Sequence, residues 1–463
     1  MIGKEIDKEN IAKSIIKYSE ELGVKEIEIF MSETKTKACF IENNRITNFL
    51  ENISEGVGIR VIVNDKIGFS YGNLIKEEDY KKILRRAIVS SKFGSLVDNF
   101  NFAKISKKNI VKDIYDEEIE NSDEKFLIEF CGDFLKRLRN ERISFGRTRF
   151  STIEYSIVNS NGLKASEKST FVTFYSNVLN SVEYEILEKG RRIEDIKKML
   201  DSSFENALNH IENYKEMKNA KIKKKNVEAI LSPSVLTELF ISTFGYSLSG
   251  NSFVIGNSPF LKRIGEKIAS EKITMIDDGT LPKGLGSFSI DHEGIPTRKK
   301  ILIKNGVLKN FFFDLMTANI VKKKSTGNGL RNVFSEELYS SPPNPTITNL
   351  IIKNGKKYIN DIISETKDGI FIDKVSWPRA SPFSGSFSLE IRIGYTIKDG
   401  CFNETIKDAI LVGNFYELIK NVEEISKENE YKSVSPSGFG ECALMPYIKF
   451  KNIMIMPKRI KSF

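Results

Sequence analysis

Apolar residues recur at Ile11, Ile15, Tyr18 and Leu22, the spacing of one helix face, and Gly23 follows where a left-handed cap would end it. An opening helix is predicted. From Ile27 the period drops to two: Ile27, Ile29 and Met31 alternate with acids, and alternating segments continue through Phe40, Ile46, residues 56–63 and Phe69. Asn43-Asn44 and Asn64-Asp65 tolerate positive φ, so tight hairpins are predicted between these strands. Helical spacing returns over Asp79 to Ser91.

A second module is predicted in the same way. A helix over Glu124 to Arg139 precedes strands Ser151 to Val158 and Ser169 to Leu179, which flank the turn Asn159-Ser160-Asn161-Gly162; a long polar helix from Ile193 to Asn213 closes it. The lysine-rich stretch from Glu216 to Asn226 has little apolar surface and reads as a connector. Beyond it, strands are predicted at Ile230, Ile273 to Ile276, Phe288 to Asp291, Lys300 to Ile303, Val307 to Phe313, Gly369 to Val375, Phe387 to Ile397 and Ala409 to Val412. Helices are expected at the entrance, from Pro233 and Ser234 through the stripe Val235, Leu236, Leu239, Phe240 and Phe244, and later over Tyr358 to Thr366 and Tyr416 to Glu424. The fold class is therefore α+β: two N-terminal modules of antiparallel sheet plus helix, over 1–105 and 106–218, followed by a large β-rich C-terminal domain over 226–463.

At 463 residues with 40% apolar and 29% charged side chains, the chain is long enough for several cores and too apolar for wholesale disorder. No apolar run approaches the ~18 residues that span a bilayer, and the charged start lacks the apolar core of a secretory signal. Cys39, Cys131, Cys401 and Cys442 stand singly, without metal or disulfide spacing. A cytoplasmic protein with reduced thiols is expected. The net charge of +9 falls in short runs at Lys221 to Lys225, Arg298 to Lys300, Lys322 to Lys324 and Lys458 to Lys461, none with aromatics interleaved for base stacking, so nucleic acid is not the expected partner.

Candidate chemistry is sparse. With only His210 and His292, a triad or a two-histidine metal site has little to draw on. His210 reads as a solvated helix residue. His292-Glu293 lacks a second histidine at helical spacing, and Gly294 and Pro296 indicate a turn. Asp277 and Asp278, with Asp291 and Asp314, are candidates for an acidic cluster that holds a cation or an acid/base pair, although Asp-Asp-Gly is also an ordinary turn. The Thr326-Gly327-Asn328-Gly329-Leu330-Arg331 loop offers amides and an arginine to an anion or a peptide carbonyl, with glycine spacing that matches no nucleotide motif.

Taken together, residues 56–62 with 67–70, the Asn159 to Gly162 turn, 276–280, Gly286-Ser287, Asp291 with Glu293-Gly294 and Pro296, 325–329 with Arg331, 384–388 and 411–414 resemble the TldD/PmbA family along nearly the whole chain. That family comprises paired subunits of a zinc metalloprotease, also labelled modulators of DNA gyrase. The resemblance implies a metalloprotease-like C-terminal domain whose entrance helix carries HExxxH in the peptidase subunit, with a cysteine near the chain end as a further ligand. Here the histidine positions fall on Ile241 and Tyr246, the glutamate position on Ser242, and the cysteine position near Cys442.

The departures resemble the PmbA-type subunit, also called TldE. The resemblance then implies no catalytic residue and no cofactor in this chain, zinc in a TldD-type partner, unfolded peptide as substrate, and Gly327, Asn328, Gly329 and Arg331 lining the peptide groove. Cys442 is at most a remnant ligand and reads as a buried small residue. A second copy of the chain is an alternative partner. Two rival functions are an autonomous hydrolase built on Asp277, Asp291 and His292, and a regulator associated with DNA or gyrase.

Overall fold

The computed structural model describes residues 8–73, 77–104, 109–137, 141–180, 182–333, 335–376, 380–434 and 440–458; the end of the last lysine run, at 459–461, lies outside them. Helix α1 (Lys8–Glu21) leads into three antiparallel strands, β1 (Glu26–Glu42), β2 (Arg45–Val63) and β3 (Lys66–Gly72), and then α2 (Glu77–Ser91). The turns fall where the asparagines predicted them, with Asn43, Asn44, Asn64 and Asp65 all at positive φ. After α3 (Glu117–Asn121) and α4 (Glu124–Arg137) come β4 (Arg142–Asn159), β5 (Lys164–Leu179), β6 (Glu183–Gly190) and the long α5 (Ile193–Glu216).

Residues 1–105 and 106–218 each place three strands in one sheet, ordered β3-β2-β1-β4-β5-β6. The seam is β1 against β4, antiparallel from Glu28↔Asn159 to Glu42↔Phe145. Strand period two sorts the side chains by face. Ile27, Ile29, Cys39 and Ile41 of β1 point to the face covered by the helices. Phe30 of β1, with Ile153, Tyr155 and Ile157 of β4, packs on Phe288, Ile290 and Tyr339 of the C-terminal half. Both faces of β1 are thus buried near residue 30, and each large apolar side chain so enclosed contributes roughly 1.5–3 kcal/mol.

The C-terminal half is an eleven-stranded sheet. It is built from β7 (Lys225–Leu231), β8 (Met275–Asp278), β9 (Lys299–Lys304), β10 (Val307–Leu308), β13 (Asn349–Ile352), β14 (Asp368–Ser376), β15 (Ser386–Lys398), β16 (Cys401–Thr405), β17 (Ala409–Asn414), β18 (Val422–Ser433) and β19 (Cys442–Pro457), while β11 (Gly329–Leu330) and β12 (Asn344–Pro345) pair separately. The unforeseen β19 is its hub, pairing with β7, β13, β17 and β18. Helix α6 (Pro233–Phe240) starts on Ser232, whose hydroxyl accepts the Val235 amide, and buries Val235, Leu236, Leu239 and Phe240.

Three expected elements differ. The Tyr416 to Glu424 helix shrinks to Phe415–Leu418 and a 3-10 turn, because Val422 and Ile425 join the ladder with β19. The Val307 to Phe313 strand pairs only over Val307–Leu308; Phe311, Phe312 and Phe313 are all buried, which a one-faced strand cannot achieve. Phe288 to Asp291 forms no strand, and Ile290 makes one bridge, to Pro296.

Across the junction between the two sheets runs a buried charge network. Glu28 of β1 accepts both Arg60 Nε (2.8 Å) and Arg60 NH2 (2.7 Å) from β2, and its Oε1 also accepts Arg331 NH2 (2.8 Å). Arg60 NH1 donates to Glu293 Oε1 at 2.9 Å. All four side chains are shielded from water, with Arg60 the most exposed at 3%. Removing one member of such a set strands the others' charge. Glu28→Gln should lower stability by about 3–5 kcal/mol, whereas Glu9→Ala, which breaks an exposed 3.0 Å pair with Lys13, should shift it by about 0.5 kcal/mol or less. Urea unfolding of both variants measures the contrast.

Candidate functional site

The end of α6 opens the site. Its last turn passes into a π-helical turn, Ile241–Gly245, and Tyr246 follows. Ile241 and Tyr246 line a groove of about 390 Å³ together with Leu330, Val333, Ile347 and Glu441. Ile241 is buried, while Tyr246 is half exposed and donates its hydroxyl to Glu441 Oε1 at 3.0 Å. Ser242 faces elsewhere: its hydroxyl donates to the Leu239 carbonyl (3.3 Å) and accepts the Ala380 amide (3.2 Å). An alkyl group, a hydroxyl held by backbone and a phenol bonded to a carboxylate make no zinc donor set at these positions. Among the described residues, no three His, Cys, Asp or Glu side chains are grouped to hold a metal.

Cys442 opens β19 beside Glu441, but its thiol turns inward. Tyr431 donates to Sγ at 2.8 Å, Sγ lies 3.4 Å from the Thr348 carbonyl, and burial pushes the thiol's pKa up to about 11. A protonated, enclosed thiol is a packing group at neutral pH.

Behind the groove lies the glycine loop. Gly327 takes φ +74°, and Gly329 sits where a Cβ would collide with the Glu293 carboxylate. Asn328, expected in the groove, is fully buried, its amide donating to Asp277 Oδ2 (2.7 Å) and the Thr346 carbonyl (2.9 Å). The Gly329 amide donates to Asp291 Oδ2 at 3.0 Å, and the Arg331 amide to His292 Nδ1 at 2.9 Å. The Arg331 guanidinium is enclosed by Glu28, the Ser341 carbonyl (2.8 Å) and the Phe30 ring. Gly327, Asn328, Gly329 and Arg331 therefore shape the groove from behind, and Leu330 and Val333 present side chains toward it.

The acids proposed as a cluster do converge, upon that loop. Asp277 is closed by Lys300 (3.0 Å), Asn328 and Thr348, Asp278 caps its own turn at Thr280, and Asp314 caps a short helix at Thr317. Asp291 accepts the amides of Glu293, Ile295 and Gly329. With Asp277, Asp291 and His292 all at 0% exposure, this set has no access to a substrate. His210, expected in solvent, instead stacks between Tyr184 and Tyr395 and bonds the Tyr395 hydroxyl at 2.6 Å.

His292 lies among Phe30, Tyr155 and Phe288, with ring centroids at 5.2, 4.8 and 5.5 Å. Its Nδ1 accepts the Arg331 amide, which places the proton on Nε2. Burial, and then the Arg331 charge, depress its pKa to about 3. Burial raises Asp291 to about 7 against its three amide donors.

An eleven-stranded sheet entered by one helix, with a groove at that helix's end, is the architecture of a metallopeptidase C-terminal domain, and residues 224–456 match the family model "PmbA/TldA metallopeptidase C-terminal domain". Residues 27–91 match the model for "PmbA/TldA metallopeptidase domain 1". The chain belongs to the PmbA/TldD family. An uncharacterized protein of Methanocaldococcus jannaschii is 30% identical over 434 residues, 92% of this chain and 97% of that one. A metalloprotease TldD homolog of Buchnera aphidicola is 28% identical over 450 residues, 90% of each. The crystal structure of TldE from Thermococcus kodakarensis matches with a TM-score of 0.85 at 26% identity, covering 96% of this chain and 99% of that one. No helix among the described residues is long and apolar enough to cross a membrane.

The two shifted groups give opposite pH dependences. His292 stays neutral while its unfolded counterpart charges, so its contribution is present above pH 6.5 and is lost as pH falls toward 3; the Asp291 contribution is lost as pH rises through 7. Whatever His292→Gln costs at pH 7, its deficit relative to the parent should shrink by about 2 kcal/mol at pH 5. Denaturant titrations of both proteins at the two pH values give the difference.

Proposed function

We propose that this chain is the metal-free, TldE-type subunit of a TldD/TldE-type metalloprotease and works in the cytosol. The observation that carries the reading is that the groove persists at the end of the entrance helix while the positions of the zinc motif hold Ile241, Ser242 and Tyr246. Neutral tyrosine and serine and an alkyl side chain supply neither metal ligands nor a general base at neutral pH. The likeness to TldE along almost the whole chain supports the same assignment.

In this role the chain binds and orients, and cleavage belongs to the zinc-bearing partner. An extended, unfolded peptide lies along the groove beside the short β11–β12 pair, with main-chain hydrogen bonds giving sequence-tolerant affinity. The buried loop from Gly327 to Arg331 fixes Leu330 and Val333, so the groove wall is set before the peptide arrives. A pre-formed wall lowers the ordering cost of binding.

The purified chain should carry no stoichiometric zinc and leave casein intact. Mixed with the TldD-type protein of the same cell, it should form a hetero-oligomer with peptidase activity above that of either component. Metal analysis, light scattering on the separate and mixed proteins, and digestion assays on each peak test this. One tightly bound zinc per chain with chelator-sensitive cleavage, or independent elution at micromolar concentration with unchanged partner activity, would rule the proposal out.

A further inference from the structure

We infer that the groove receives a cationic group of an extended peptide at Glu441, with an aliphatic residue beside it. The inference rests on reading the groove as a peptide site. Its walls are Ile241, Leu330, Val333 and Ile347, side chains that take an aliphatic group by excluding water. Among the described lining residues, Glu441 and Arg331 are the ionisable acid and base. The arginine's charge is turned inward: its guanidinium lies on Glu28 and the Ser341 carbonyl at 0% exposure. The charge that faces the groove is therefore the Glu441 carboxylate.

Two features set that carboxylate apart from an ordinary surface acid. Glu441 takes φ +53°, in the left-handed region that non-glycine residues seldom adopt, immediately before the hub strand β19. The half-exposed Tyr246 donates to its Oε1 from the opposite wall at 3.0 Å. A carboxylate offers about four lone-pair sites, so this bond orients the group and leaves capacity for a second donor. Apolar walls beside it reduce solvent screening of an ion pair formed there.

The recognised class is a peptide cation, either a lysine or arginine side chain or the α-ammonium of a chain start. This preference runs against the chain's net charge of +9, which by itself would draw acidic peptides. A gain for cations therefore reports the local carboxylate.

Fluorescence anisotropy with the full chain and unstructured leucine-containing peptides, labelled at the C-terminus, tests the inference. One peptide is N-acetylated with lysine beside the leucine, a second replaces lysine by norleucine, a third replaces it by glutamate, and a fourth is the norleucine peptide with a free N-terminus. The capped lysine peptide, the free-amine peptide or both should bind roughly three- to fivefold tighter than capped norleucine, with glutamate weakest. A lysine gain identifies a side-chain cation and a free-amine gain an α-ammonium. In Glu441→Gln the advantage should fall to within about twofold, with the melting temperature checked against the parent. Equal binding of all four peptides, or an advantage that survives Glu441→Gln, overturns the charge preference. Ile241→Trp separates the two layers of the argument. If it abolishes binding of every peptide while lysine and amine bring no gain, only the charge preference fails; if it leaves binding untouched, or the parent binds none of the peptides, the peptide reading of the groove fails with it.

Discussion

The Glu28 carboxylate, 303 residues from Arg331 in sequence, is the point at which the two halves of the molecule are fixed to each other. It accepts from Arg60 in its own sheet and from Arg331 in the other half, and Arg60 reaches on to Glu293. Burying ions costs several kcal/mol each before pairing returns it, so the arrangement is poor as a pure stabiliser. What it supplies is position. Guanidinium forks and carboxylates bond only in a narrow set of geometries, and these are distributed over β1, β2, residue 293 and residue 331. Sliding the sheets past one another would leave several charges unpaired at once.

That constraint passes directly to the groove. Arg331 is held at its head group by Glu28 and at its amide by His292, and Gly329 by Asp291. Leu330 lies between two fixed residues and contributes to the groove wall. The acids and the histidine that a search for catalytic groups selects from the sequence are thus committed to backbone and guanidinium donors. Asp291, His292 and Glu293 are consecutive, each bonds a different donor on or beside the loop, and Gly294 at φ +83° turns the chain so that they can.

Local chemistry was legible in the sequence, and long-range pairing was not. Asparagine pairs at turns, the helix start at Ser232-Pro233 and the alternation of the N-terminal strands are decided within a few residues, and each appears close to where it was expected. The seam between β1 and β4, which merges two apparent modules into one sheet, depends on edges meeting more than a hundred residues apart, with no signal in either strand alone. Strand β19 escaped because Pro446, Lys449, Lys451 and Asn452 break its apolar alternation; Lys449 is paired to Glu228 and Glu423, and the ladder with β7 shifts register between Phe450 and Ile453. Arg331 looked like a ligand-binding residue for want of a visible partner, and its partner lies near the chain start. Glu28 itself was readable only as one of the acids alternating with Ile27 and Ile29, a pattern that suggests a solvated face; burial of both faces of β1 reverses that meaning.

The groove shows how a binding surface is kept when a catalytic centre is absent. Ile241 is packed at 2% exposure, where an imidazole would need a polar partner, and the π-helical turn that begins with it turns Ser242 away toward the Ala380 amide. An extra residue per turn rotates the succeeding side chains around the helix axis, and Tyr246 emerges half exposed opposite Glu441. The chemistry at these positions differs from a zinc site in every donor, yet the wall still has a rigid floor, an apolar flank and one oriented polar pair. Binding requires complementarity and a fixed frame, and both come from residues remote from the motif. Metal-assisted hydrolysis requires the ligands and base themselves, so substitutions at two or three motif positions abolish it and leave the frame intact.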